Sequence, residues 1–293
     1  MLANTWTQMY SNNATSTTQP SPRTGMTAWT DGQGNAYIFG GRDNNGNSFN
    51  DLWKYSMTAN SWTMVPSNSS SLPPSPRSGM VSWVALNVNQ DHNKNYAYIF
   101  GDYALDDELW IYDMGANSWT KTAATPGQIP SSRYGEISWT DNQGNAYIYG
   151  GYDNTQYYSD LWKYNLAGGQ WTQINPNGNS ISILGAVAWV DNNDNAYIYG
   201  GYTNGNILSG LYQYNMTSNS LTALSTVNTP SARYLATAWV DSTGNAYLFG
   251  GTNDDLGNSV NDLLWKYGDS TTVKKKPTQA KAYNQSKTIK KTK

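Results

Sequence analysis

Two sets of side chains recur at fixed places and could do chemistry together. Arg23, Arg77, Arg133 and Arg233 each close a short Ser- or Pro-containing phrase. Tyr134 and Tyr234 follow two of them directly. A second set, Arg42, Tyr103, Tyr152 and Tyr202, stands immediately after a Gly-Gly or Gly-Asp pair. The planar guanidinium of arginine suits two-point contact with carboxylates. Tyrosine adds a rigid ring with one polar tip, a combination favoured in binding surfaces. This is the chemistry of recognition, not of bond making. The competing reading is packing, with each arginine bonded to the Asp of a repeated Asp-Leu phrase at Asp51, Asp160 and Asp262.

Residues for bond making are scarce. The chain has no cysteine and one histidine, His92, inside the turn-like segment NVNQDHNKN. A copper or zinc site needs several nitrogen or sulfur ligands, and a Ser-His-Asp device needs a positioned imidazole. Neither inventory is present, so no metal and no redox cofactor is expected, and the chain reads as non-enzymatic. The Gly-Gly pairs lack the GxxxxGK[ST] pattern of a phosphate loop. Only two glutamates occur, Glu108 and Glu136. Glu108 takes the place of the repeated Asp, whereas Glu136 replaces the Met or Ala of the other units within an apolar strand pattern. A carboxylate there needs channel water or an arginine to be tolerated. Turns such as DNNDN carry oxygen ligands but lack the length and terminal glutamate of a calcium loop, so plain turns are expected.

The elements that carry these residues repeat. The phrase GNAYIFGG and its relatives end at Gly41, Gly151, Gly201 and Gly251, with an altered copy ending at Asp102. A tryptophan precedes each copy, at Trp29, Trp83, Trp139, Trp189 and Trp239. A second aromatic follows at Trp53, Trp110, Trp162, Tyr212 and Trp265, and nine residues later come Trp62, Trp119, Trp171 and Leu221. Each unit of about 50 residues therefore reads as four short strands, the signature of a propeller blade that must stack on its neighbours. In the AYIFGG strand, Ala and Ile should face one side and Tyr and Phe the other. The last unit has Lys274 where its fourth-strand aromatic belongs, and Trp6 lies at the opposite end of the chain with suitable spacing. The expectation is an all-β, five-bladed propeller over residues 1–267, closed by the N-terminal strand, followed by a disordered Lys-rich tail at 268–293.

The phrases PSPR, FGG and DLWKY, with the tryptophan nine residues on, resemble the kelch repeat. They are similar to the galactose-oxidase-type kelch repeats of secreted bacterial proteins, over about residues 4–267. The resemblance implies a propeller, and a binding role more readily than a catalytic one, since propellers host many functions. Kelch domains that bind acidic peptides use arginines at similar blade positions, and kelch isomerases use channel acids. Kelch domains usually have six or seven blades, and this chain shows five. The fourth unit also departs from the pattern: Ile183 replaces the arginine, Gly210 the aspartate and Leu221 the tryptophan.

Charge divides the chain. Before residue 268 ten basic residues face nineteen acidic ones, and after it eight lysines face Asp269 alone. No apolar run approaches the ~18 residues of a membrane span, and the N-terminus lacks a leader pattern. Localisation is left open between an extracellular processed fragment and the cytoplasm. The sequons at Asn13, Asn68, Asn215 and Asn284 do not decide it in so Asn-rich a chain. A protein-binding or assembly module leads the functional readings. A glycan-binding surface protein and a scaffold tethered by its tail to nucleic acid or an anionic surface follow. All thirteen tryptophans fall in repeat slots, which leaves none as a free sugar platform.

Overall fold

A computed structural model describes residues 18–86, 95–104, 107–122, 128–241, 244–254 and 264–268. The described secondary structure is all β, arranged as five small antiparallel sheets around a central channel. The first three blades have four strands each: Thr27–Thr30, Asn35–Phe39, Leu52–Ser56 and Ser61–Val65; Val81–Ala85, Tyr96–Phe100, Trp110–Asp113 and Ser118–Lys121; and Ile137–Thr140, Asn145–Tyr149, Leu161–Asn165 and Gln170–Ile174. The fourth has Val187–Val190, Asn195–Tyr199, Leu211–Asn215 and Ser220–Leu224, with Asn177–Gly178 pairing in parallel along its outer edge. The fifth contributes Tyr234–Val240, Ala246–Thr252 and Leu264–Tyr267. The closing strand expected around Trp6, the Lys-rich tail and His92 lie outside the described residues.

The alternation within each second strand builds the core. Tyr98 and Phe100 face forward onto the third blade, while Ala97 and Ile99 face back onto the first. The forward face carries a stacked pair in every blade: Trp29 on Tyr37, Trp83 on Tyr98, Trp139 on Tyr147, Trp189 on Tyr197 and Trp239 on Tyr247, with centroids 5.6–5.8 Å apart. A tyrosine of the next blade leans on each of the first four pairs: Tyr112, Tyr164, Tyr214 and Tyr267.

The turns between first and second strands are built by aspartate. Asp141 accepts the backbone N–H groups of Gln143 and Asn145, and its other oxygen accepts the Asn145 side-chain amide at 2.7 Å. Asp31, Asp191 and Asp241 form the same bond to Asn35, Asn195 and Asn245. These carboxylates serve the turn, as short polar side chains do. The left-handed residue each turn needs is Gly34, Gly144 or Gly244 or, in DNNDN, Asp194 at φ 57°.

Inter-blade hydrogen bonds run round the channel mouth. Gly79 donates to Gly25, Gly135 to Gly79, Gly185 to Gly135 and Leu235 to Gly185, all through backbone groups. Among the described residues no fifth rung joins Gly25 to Leu235. The forward face of the fifth blade is correspondingly open. Trp239, Phe249 and Leu264 are 44%, 43% and 58% exposed, whereas Trp29, Phe39 and Leu52, which hold the same slots in the first blade, are buried. Among the described residues Trp239 is thus the exposed tryptophan, in a slot whose counterparts are core-packed.

Candidate functional site

The loop into each inner strand lies beside the residue after each second strand. Arg42 pairs by a backbone bridge with Thr24, Tyr134 with Tyr152, and Leu184 with Tyr202. The Tyr103 N–H donates to the Ser78 carbonyl, and Tyr234 pairs with Thr252. Both repeated sets therefore share one face, as the strand order requires, but their side chains divide.

The arginines point into the blades. Arg133 donates to the Gly150 carbonyl at 3.0 Å and holds Asp160 with two bonds of 2.5 and 3.0 Å. The Trp162 indole N–H donates to the same Asp160 at 2.7 Å. Tyr158 covers the guanidinium at 3.9 Å. Arg23 repeats this clasp with Gly40, Asp51, Trp53 and Phe49. Arg233 donates to Gly250 and Ser231, while its expected partner Asp262 lies outside the described residues. In the second blade Arg77 lies 3.8 Å from Glu108, which also accepts the Trp110 indole N–H and pairs with Lys121. Arg77, Arg133 and Arg233 are fully buried. In the fourth blade the buried Ile183 joins the apolar cluster between the third and fourth blades instead.

The tyrosines come together. Tyr103 stacks on Tyr134 at 3.8 Å, Tyr134 meets Tyr152 edge-on at 5.8 Å, and Tyr152 stacks on Tyr157 at 4.4 Å. Tyr157 then reaches Tyr202 at 6.0 Å, and Tyr202 reaches Tyr234 at 5.4 Å. The Arg42 guanidinium caps the far end, 4.5 Å above the Tyr103 ring. Among the described residues Arg42 has no carboxylate partner. The result is one continuous aromatic arc over four blades. Tyr103 is 43% exposed, and Tyr152, Tyr157, Tyr202 and Tyr234 are half-buried. Tyr134 is buried beneath the arc, and its phenol is pushed up to about 12 by burial and then by the neighbouring tyrosines.

Sequence reasoning missed Tyr157. Its signal was the Tyr157-Tyr158 pair ahead of Asp160, outside the slots that repeat.

Glu136 is the other unusual group. It lines the central channel, a space of about 360 Å³ whose walls include the small residues Thr27, Ser82, Ser138, Ala188 and Ala238 and the larger Met80 and Ile137. The residue is only 4% exposed, and neither carboxylate oxygen finds a hydrogen-bond partner among the described residues. Burial pushes its carboxyl up to about 8; its own backbone N–H and Arg133 pull the other way, and Asp102 adds to the rise.

These features define a β-propeller whose first and third blades are locked by a buried Arg–Asp–Trp clasp and whose one face carries an aromatic arc. The chain belongs to the kelch-repeat family: the model described as "KLHDC2/KLHL20/DRC7 Kelch-repeats domain" matches residues 1–183. It is similar to Kelch domain-containing protein 3 of Homo sapiens, 27% identical over 150 residues, covering 48% of this chain and 38% of the relative. The Bos taurus counterpart is 27% identical over 180 residues, covering 59% and 46%. The Leucine-zipper-like transcriptional regulator 1 homolog of Drosophila melanogaster is 28% identical over 155 residues, covering 49% and 14%. The matched region is less than half the length of each of these relatives. Kelch-repeat propellers generally mediate protein–protein interaction and are typically binding modules, not enzymes.

Proposed function

We propose that this chain is a non-enzymatic protein-binding module and that its partner docks on the tyrosine arc. The continuous run from Arg42 through Tyr103, Tyr134, Tyr152, Tyr157 and Tyr202 to Tyr234 carries the reading. Ring packing preorganises these side chains, so little rotamer freedom remains to be lost on binding. The arc is also lopsided. Its blade positions hold Arg42, three tyrosines and Thr252, which suits an asymmetric partner better than a uniform ring would. Arg23, Arg77, Arg133 and Arg233 support the face from below by holding the strands that present it, and Arg42 supplies its accessible cation.

The test compares the wild type with a Tyr103→Ala/Tyr202→Ala variant as immobilised bait, after melting curves have shown the two equally folded. Partners retained by the wild type should be lost by at least tenfold from the variant, as for aromatic anchors at interface centres. Equal retention would overturn the reading. A glycan array on the same pair separates a carbohydrate ligand from a protein partner.

A further inference from the structure

Leu235 stands where the other four blades have a glycine: Gly25, Gly79, Gly135 and Gly185. At each of those glycines the place of the missing Cβ is taken by the following blade. A Cβ on Gly25 would lie 3.3 Å from the Gly79 nitrogen and 3.4 Å from the Ser78 Cβ, and one on Gly79 would lie 3.4 Å from the Tyr134 Cβ. One on Gly135 would run into Leu184, and one on Gly185 would lie 3.1 Å from the Leu235 side chain. The slot is therefore a notch that the next blade enters. In the fifth blade the notch carries a leucine, exposed and held at φ 55°. A strained residue that burial does not repay points to a role beyond packing.

The blade that would enter this notch is the first. Its inner strand does not approach that of the fifth blade as the other neighbouring inner strands approach each other. Both sides of the seam are correspondingly bare. On the fifth blade Trp239, Phe249 and Leu264 are exposed. On the back of the first blade Met26 is 44% exposed, against 7% for Met80 in the same slot. Ala36 and Ile38 are half-buried there, whereas their counterparts Ala97, Ile99, Ala146 and Ile148 are fully buried. The two sides nevertheless match. Trp62 packs on Tyr55 at 5.1 Å, as Trp119 packs on Tyr112 at 4.8 Å and Trp171 on Tyr164 at 5.0 Å. In the second and third blades the tryptophan of that pair also packs on a phenylalanine of the preceding blade, Phe39 or Phe100. For the first blade the phenylalanine in that place is Phe249.

We infer that Leu235 is a wedge that holds the seam between the fifth and first blades open, and that the bare faces on its two sides are built to close on one another when the wedge is withdrawn. The seam borders the central channel, whose wall includes Thr27 and Ala28 on one side of it and Ala236, Thr237 and Ala238 on the other. Its state therefore sets access to the channel from the side. The seam also separates the two ends of the tyrosine arc, at Arg42 and at Tyr234. On the reading of the arc as a docking face, closing the seam joins those ends and changes the surface that a partner meets.

The test needs no partner, so its outcome is independent of whether the arc binds proteins. Leu235→Gly restores the notch. Leu235→Asn keeps a side chain in it but tolerates the left-handed backbone, which separates the wedge from its strain. Hydrogen peroxide followed by mass spectrometry reports on Met26, with Met57 as the exposed reference and Met80 as the buried one. In the wild type and in Leu235→Asn, Met26 should oxidise at a rate close to that of Met57. In Leu235→Gly it should slow roughly fivefold or more towards Met80, since the oxidant must reach the sulfur. Amide hydrogen exchange should show the Gly25 N–H gaining about tenfold protection in Leu235→Gly alone, as a fifth rung forms to the carbonyl at position 235. A wild-type Met26 as slow as Met80, unchanged Met26 and Gly25 in Leu235→Gly, or equal slowing in both variants would overturn the inference.

Discussion

Tyr103 and Tyr134 stack across the seam between the second and third blades with ring planes only 18° apart. Gly79 makes the contact possible. It sits at φ 80°, and a Cβ there would lie 2.8 Å from the Tyr103 ring and 3.4 Å from the Tyr134 Cβ. The position thus needs glycine twice over, for backbone conformation and for space. The rung from Gly135 to Gly79 then fixes the spacing of the two blades beneath the rings.

The arginines should separate sharply on mutation. Arg133→Ala leaves Asp160 without its cation and the Gly150 carbonyl without a donor. Breaking a buried pair from one side costs about 3–5 kcal/mol. Arg42→Ala removes a surface cation and should stay within about 0.5 kcal/mol. Urea denaturation of both variants checks this, and similar losses for the two would contradict the assigned roles.

Leu235 occupies the slot held by Gly25, Gly79, Gly135 and Gly185, and it keeps the same left-handed backbone at φ 55°. That conformation costs a non-glycine residue roughly 1–2 kcal/mol. The side chain is 65% exposed, so little burial offsets the cost. Leu235→Gly should therefore stabilise the protein by about 0.5–1 kcal/mol, after the greater entropy of glycine in the unfolded chain is subtracted. A lower melting temperature for the glycine variant would show that the leucine is held by contacts stronger than its strain.

Stability should depend on pH through Glu136. Its carboxyl is raised from 4.5 to about 8 on folding. The folded state therefore holds a proton that the unfolded state releases, and the stabilisation is complete below the unfolded value and lost as pH rises through about 8. Melting temperatures should fall from pH 5 to pH 9 in the wild type and fall less in Glu136→Gln. Parallel curves for the two proteins would remove Glu136 as the cause.

The fifth blade ends, among the described residues, at an edge strand, Leu264–Tyr267. Beside it lies a space of about 350 Å³ lined by Tyr199, Tyr267, Trp189 and Leu248. At the matching place in the second and third blades, Trp119 and Trp171 fill the gap between Phe39 and Tyr112 and between Phe100 and Tyr164. If the N-terminal segment supplies the missing aromatic, deleting residues 1–10 should lower the melting temperature by several degrees, and Trp6→Ala should lower it in part. An unchanged melting temperature for the deletion would place the closing strand elsewhere.

The blade count, the order of strands and the sharing of one face by both repeated sets were all legible in the sequence. They follow from periodicity: a spacing near 50 residues and alternation within AYIFGG determine which side of a strand each residue takes. The Arg–Asp clasp was also legible as one of two readings, because an arginine and an aspartate recurred together. Choosing between the readings took the tertiary structure. Burial depends on what the neighbouring blade places over a side chain, and sequence spacing carries no record of that. The same limit hid Tyr157, which joins the arc from a loop outside the repeat. It also hid the nearness of Asp102 to Glu136, 34 positions apart in the chain and brought close only by the packing of one blade on the next.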